Sequence, residues 1–173
     1  MHRVARFKKV SREQFHKDFL EKFPIENMEQ EHIDAINLMY DNIKIPQRAT
    51  TGSAGYDFKV PFDVELQPGE MVTFPTGIRC WIDDDWVLMI FPRSSVGFKY
   101  HVMLANTTGI IDSDYYYADN EGHIWVKLVN HGDKVFSIKE GDKVCQGVFV
   151  PFGVTFDDDI KLDRVGGIGS TGE

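Results

Sequence analysis

"MVTFPTGIRCWI" (71–82), "DDD" (83–85) and "WVLMIFP" (86–92) decide the fold class. Two apolar runs rich in Val, Ile, Phe and Trp flank three aspartates that water must solvate. Such runs suit a pleated, half-buried surface, and Asp favours turns because its side chain accepts from nearby backbone N–H groups. The same texture spreads outward on both sides. "DFKVPFDVEL" (57–66) and "QPGE" (67–70) come before it, and "HIWVKLVN" (123–130), "HGDK" (131–134) and "VFSIKEGDKVCQGVFVPF" (135–152) come after. Apolar runs and turn signals alternate at intervals of about ten residues, which predicts a compact β-sandwich or barrel and not alternating βα units.

Before Lys44 the texture differs, and the first forty residues read as helical. "SREQFHKDFLEKFP" (11–24) opens with Ser11 three residues before Gln14, a capping-box pattern, and Val10 is placed to staple onto Phe15. Phe15, Phe19 and Phe23 form a stripe at fourfold spacing that Pro24 stops. "NMEQEHIDAINLMYDN" (27–42) sets Ile33, Ile36 and Tyr40 on one face. These helices read as packing elements, with a partner-binding aromatic face as the alternative. The expected organisation is an N-terminal helical extension (1–43), a β domain (44–163) and a flexible glycine-rich tail (164–173).

Composition narrows the functional classes. A chain of 173 residues with 42% apolar and 27% charged residues fits one ordinary globular domain. The net charge is −8, and residues 1–45 hold eight basic and eight acidic residues, so the excess lies in the remainder. An acidic body disfavours nucleic acid as a partner. No apolar run reaches the roughly 18 residues of a membrane span. The basic start "MHRVARFKKV" lacks a following apolar signal core, so a cytoplasmic location is expected. Cys80 and Cys145 lie inside apparent strands without CxxC spacing, and read as buried reduced thiols.

Five polar, turn-like stretches stand apart: "SAGYD" (53–57), "PRSS" (92–95), "NTTGIIDSDY" (106–115), "EGDKVCQG" (140–147) and "RVGGIGSTG" (164–172). Singly each is weak. "PRSS" reads as any exposed turn, and "GGIGSTG" lacks the lysine of a P-loop. In "GIIDSDYYY" (109–117) Asp112 either ends a strand in a turn or is a carboxylate held for chemistry.

Together, in this order and spacing, the five stretches resemble the motifs of the trimeric, all-β deoxyuridine triphosphate nucleotidohydrolases, the dUTPases. The resemblance covers residues 44–172 and implies a distorted jelly-roll, a homotrimer with active sites shared between subunits, and hydrolysis of dUTP to dUMP and pyrophosphate with Mg2+. It implies that Asp112 activates the attacking water and that Tyr115 packs against the deoxyribose, leaving no room for a 2′-hydroxyl. Asn106 and the chain through Gly109 and Ile111 would form the uracil pocket. Arg93 would fork onto phosphate oxygens, and Ser94 and Ser95 would supply hydroxyl and N–H groups near the bridging oxygen. Gln146 would hold water and phosphate without adding charge, and Asp57 would reach the Mg2+ shell through water, with the ion carried mainly by the triphosphate. Arg164, Ile168, Gly169, Ser170 and Thr171 would close over the nucleotide.

Two features depart from the family pattern. Ile168 stands where a phenylalanine usually stacks on the uracil, which leaves Phe152 as one candidate substitute. The stretch after Tyr115 is long, and the insertion at 116–123 reads either as a structural loop or as a surface for a regulatory protein. The rival enzyme class, a dCTP deaminase, shares the fold, but no stretch here resembles its glutamate motif. A noncatalytic jelly-roll would leave the five motifs without a reason.

Overall fold

The computed structural model describes residues 2–162 together with Arg164 and Gly166. In chain order the elements are β1 (Ala5–Lys9), α1 (Arg12–Lys22), α2 (Gln30–Asn42), β2 (Gln47–Arg48), β3 (Tyr56–Lys59), β4 (Val64–Leu66), β5 (Met71–Pro75), β6 (Ile78–Ile82) and β7 (Trp86–Pro92). There follow α3 (Ser94–Tyr100), β8 (Val102–Leu104), β9 (Gly109–Ile111), a 3-10 turn (Ser113–Tyr117), β10 (Trp125–Asn130), β11 (Phe136–Ile138) and β12 (Lys143–Pro151). The expected all-β body is present, and every strand pairing among the described residues is antiparallel. The largest sheet runs β2-β3-β12-β7-β9, a second runs β5-β10-β8, and β1-β6 and β11-β4 form two-stranded ladders. These ladders stay open and do not close into one barrel among the described residues.

The "DDD" turn sits where the sequence puts it, between β6 and β7, with the Trp86 N–H donating to the Asp83 carbonyl. Apolar side chains from both flanking runs, including Ile78, Ile82, Leu88 and Ile90, are buried in one continuous core. The central pair is β7 with β12, in register from Cys145 opposite Pro92 to Pro151 opposite Trp86.

The N-terminal segment differs from the helical expectation in one place. Ala5–Lys9 is a strand paired along its whole length with β6. Its inward and outward residues alternate, but Phe7 is the sole bulky apolar side chain, so the period of two was hidden in a basic run. Phe7 packs at 5.4–5.6 Å between ring centroids on Tyr56, Phe58 and Phe149. The first helix begins at the predicted Ser11 cap, with the Gln14 N–H donating to the Ser11 hydroxyl and with Val10 and Phe15 buried. The reciprocal half of the capping box is absent, since the Ser11 N–H donates to Glu121 and the Gln14 amide to Asp18. Its phenylalanine stripe faces inward, since Phe19 and Phe23 both meet Phe62 edge-on. That contact uses the stripe as a packing element and leaves little of it for an outside partner. Among the described residues no helix is long and apolar enough to cross a membrane.

Candidate active site

One end of the main sheet gathers the residues of the first, second and fourth motifs. Asp57 on β3 lies directly opposite Gln146 on β12, which places both side chains on one face. Arg93 follows β7 where Pro92 meets Cys145, and its N–H donates to the Val144 carbonyl. The Asp57 carboxylate is buried and meets two cations, Arg93 Nε at 3.1 Å and Lys143 Nζ at 2.7 Å. A buried carboxylate requires such partners, because leaving it unpaired would cost several kcal/mol. Ser94 and Ser95, both exposed, form the first turn of α3, so "PRSS" is a helix start and not a free turn. Arg93, Ser95, Lys59, Lys99 and Lys143 line one open cleft, a basic patch on an otherwise acidic chain. The paired cation Lys143 was missed in the sequence, although it stands inside "EGDKVCQG" three residues before Gln146.

Gly55 explains why the first motif needs a glycine. A Cβ added there would sit 2.4 Å from Gln146 Oε1, so the bare backbone is what admits the glutamine side chain. Beneath this end Cys145 is fully buried, and burial together with the charge of Asp57 pushes its thiol up to about 12.

The third motif forms a separate pocket. Asn106, Gly109, Ile111 and Tyr115 line a cavity of about 300 Å³ together with Trp125 and Leu104. Phe152 does not line it, and lies half-exposed past the end of β12 with its N–H on the Asp85 carbonyl. Tyr115 is buried, donates its hydroxyl proton to the His123 carbonyl at 2.7 Å and accepts from Asn120 at 2.9 Å. Burial raises its pKa, and the Asn120 hydrogen bond and the charge of Arg164 oppose that rise. Asp112 follows β9 and precedes the 3-10 turn, but its carboxylate makes no capping bond there. It remains about half exposed and meets Arg164 at 3.3 Å. Arg164 also reaches Asp114 at 3.4 Å and lies over the Tyr115 ring at 5.4 Å, on the side of the third motif. Ile168, Gly169, Ser170 and Thr171 lie outside the described residues.

The two halves stand apart on one chain. Ile111 pairs with Leu88, whereas Arg93 lies five residues further along the same line of chain. At the rise of a β-strand this separates them by about 17 Å. No group of three or more His, Cys, Asp or Glu side chains that could hold a metal ion occurs among the described residues. A Mg2+ delivered on phosphate oxygens would meet the Asp57 carboxylate beside Arg93, with Asp142 in the lining of the same cleft.

The family profile described as dUTPase matches residues 41–172. The chain is 43% identical over 133 residues to the deoxyuridine 5'-triphosphate nucleotidohydrolase of Lactococcus lactis, covering 75% of this chain and 89% of that protein. The enzyme of the same name from Photorhabdus laumondii is 39% identical over 140 residues, covering 76% and 89% respectively. The fold is similar to the crystal structure of dUTPase from Streptococcus mutans, with a TM-score of 0.60 and 40% identity over 66% of this chain and 90% of that one. It is also similar in fold, at 23% identity and a TM-score of 0.58, to a phage phi11 dUTPase mutant that coordinates a structural Mg(II) ion, covering 70% of this chain and 92% of that one. Residues 1–40 lie outside the family match, although β1 and α1 are built into the core.

Proposed function

The chain belongs to the dUTPase family, and we propose that it hydrolyses dUTP to dUMP and pyrophosphate at sites shared between the subunits of a homotrimer. The observation that carries this reading is the separation of the two halves. A water held by Asp112 and the phosphates held by Arg93 must meet within a few ångströms, yet one chain keeps Ile111, the residue before Asp112, about 17 Å from Arg93 along β7. Apposing the third-motif pocket of one copy to the Asp57–Arg93 end of the partner subunit removes the conflict and gives each copy both roles.

In this arrangement the nucleoside enters the cavity lined by Asn106, Gly109 and Ile111, with its sugar against Tyr115. Asp112, the next residue after Ile111, accepts the proton of the water that attacks the α-phosphorus. Arg93, its Nε engaged by Asp57, presents the rest of its guanidinium to phosphate oxygens. Ser94 and Ser95 offer hydroxyl and N–H groups where charge develops on the leaving oxygen, and Gln146 adds a neutral donor. A Mg2+ carried by the triphosphate would neutralise its charge, with Asp57 reaching it through water. Arg164 with the glycine-rich tail would complete closure over the nucleotide. The cytoplasmic assignment belongs to the same proposal, and the free, buried Cys80 and Cys145 support it.

The test is pyrophosphate release with Mg2+ from dUTP, dTTP, dCTP and UTP. Hydrolysis confined to dUTP, yielding dUMP, is the expected result. Ammonia from dCTP would replace this reading with the deaminase class, and release from none of the four would remove it.

A further inference from the structure

The hydroxyl of Tyr115 is satisfied entirely from the insertion, by the His123 carbonyl and the Asn120 amide. His123 is itself pinned at both ring nitrogens. The Gly77 N–H donates to its Nε2 at 2.7 Å, so Nε2 is the acceptor, and the remaining N–H on Nδ1 donates to Asp18 at 2.5 Å. Asp18 lies on α1, in the segment outside the family match, and its other oxygen accepts from Gln14 at 2.9 Å. His123 and Asp18 are at most 4% exposed, so no water competes for these bonds. A second tie runs alongside: the Ser11 N–H and hydroxyl both donate to Glu121, which also faces Arg79 at 3.6 Å. The insertion is thus held by this chain's own N-terminal segment, which favours the structural-loop reading over a free partner surface.

We propose that Asp18 and His123 are positioning residues for substrate selection, fixing through Tyr115 the wall against which the sugar packs. This rests on the dUTP-hydrolysing reading above. Asp18 holds the imidazole in one tautomer and orientation, and the imidazole fixes the residue whose carbonyl receives the Tyr115 hydroxyl. Without Asp18 the Nδ1–H is buried without an acceptor, and the residue must shift or admit water to satisfy it. The ring of Tyr115 then loses its fixed distance from the cavity. A space that excludes one hydroxyl tolerates little displacement, so selection between deoxyribose and ribose suffers more than dUTP turnover does.

The experiment is a double-mutant cycle of Asp18→Ala with Tyr115→Phe in the full-length chain, read as kcat/KM for dUTP divided by that for UTP. Each single variant is expected to lower this ratio by about tenfold, and the double variant to lower it no further than Tyr115→Phe alone. Asp18→Asn, whose side-chain oxygen still accepts from Nδ1–H, is expected to restore the ratio. A purely structural role for Asp18 predicts a lower Tm with an unchanged ratio, or additive losses in the double variant, and either result overturns the proposal. If Asp18→Ala does not fold, Gln14→Leu, which loosens Asp18 while leaving its bond to His123, must lower the ratio measurably for the proposal to stand. Absence of dUTP hydrolysis in the wild-type chain would defeat the functional reading instead of this proposal.

Discussion

Asp57 and Asp112 are two carboxylates of the candidate site, and their surroundings are opposite. Asp57 is nine-tenths buried with two cations on its oxygens, whereas Asp112 is half exposed with one arginine from the tail end of the chain. The first is a fixture: its charge holds Arg93 and Lys143 in place before any phosphate arrives. The second keeps solvent access, as a group that must receive a proton from water does. On the proposed reading, burial separates the carboxylate that would organise the site from the one that would accept the proton.

Asp112→Asn should have the largest effect on turnover. It keeps the side-chain shape and loses the base, so kcat should fall by about 10²–10⁴-fold while Tm stays within about a degree. Steady-state kinetics and a thermal melt check both halves of this expectation. Asp57→Asn breaks the contrast from the other side, lowering stability as well as turnover by leaving Arg93 and Lys143 adjacent without a counter-charge. The stability loss should be about 1–2 kcal/mol, below the figures for fully buried pairs because both cations are partly exposed. A denaturant melt of Asp57→Asn that matches the wild type would show that Asp57 is no fixture.

Gly55→Ala sharpens the account of the organised end. The new methyl displaces Gln146, so turnover should fall by about tenfold with little change in Tm, and Gln146→Ala in the same chain should add almost nothing. Additive losses would mean that Gly55 acts elsewhere.

The last effect is absent at neutral pH and confined to alkaline pH. Burial raises the Cys80 thiol to about 12, and burial with the Asp57 charge raises Cys145 equally far. Unfolded thiols ionise near 8.5, so the folded chain binds protons that the unfolded chain releases. Stability from this source is whole below about pH 8.5 and is lost progressively as pH rises toward about 12. Denaturant melts between pH 7 and 11 should therefore show a decline beginning near pH 8.5, and at pH 7.5 neither thiol should react with a disulfide reagent until the protein is unfolded.

Much of this arrangement was legible in the sequence because it rests on local signals. The "DDD" turn, the Ser11 cap and the polar motifs interrupting apolar strands each follow from a few neighbouring residues. Asp112 taken alone read as a turn residue, and its place in the third of five ordered motifs is what pointed to chemistry. In the structure it makes no capping bond and meets Arg164. The rest was hidden for a physical reason. Lys143 meets Asp57 across strands far apart in sequence, and Asp18 meets His123 across 105 positions, so neither pairing leaves a periodic trace. The strand at Ala5–Lys9 was hidden because its partner β6, and not its composition, makes it a strand.

The shared site is tested most directly by mixing two inactive chains. Asp112→Asn and Arg93→Ala proteins, each nearly inactive alone, are unfolded together in equal amounts and refolded, and dUTP hydrolysis is compared with that of wild-type protein treated identically. If Asp112 and Arg93 of each site come from different subunits, random assembly leaves about a quarter of the sites intact and restores about that fraction of activity. Activity no higher than that of the separate variants, from mixed assemblies confirmed by differential tagging, would place both residues of each site on one chain and contradict the shared arrangement.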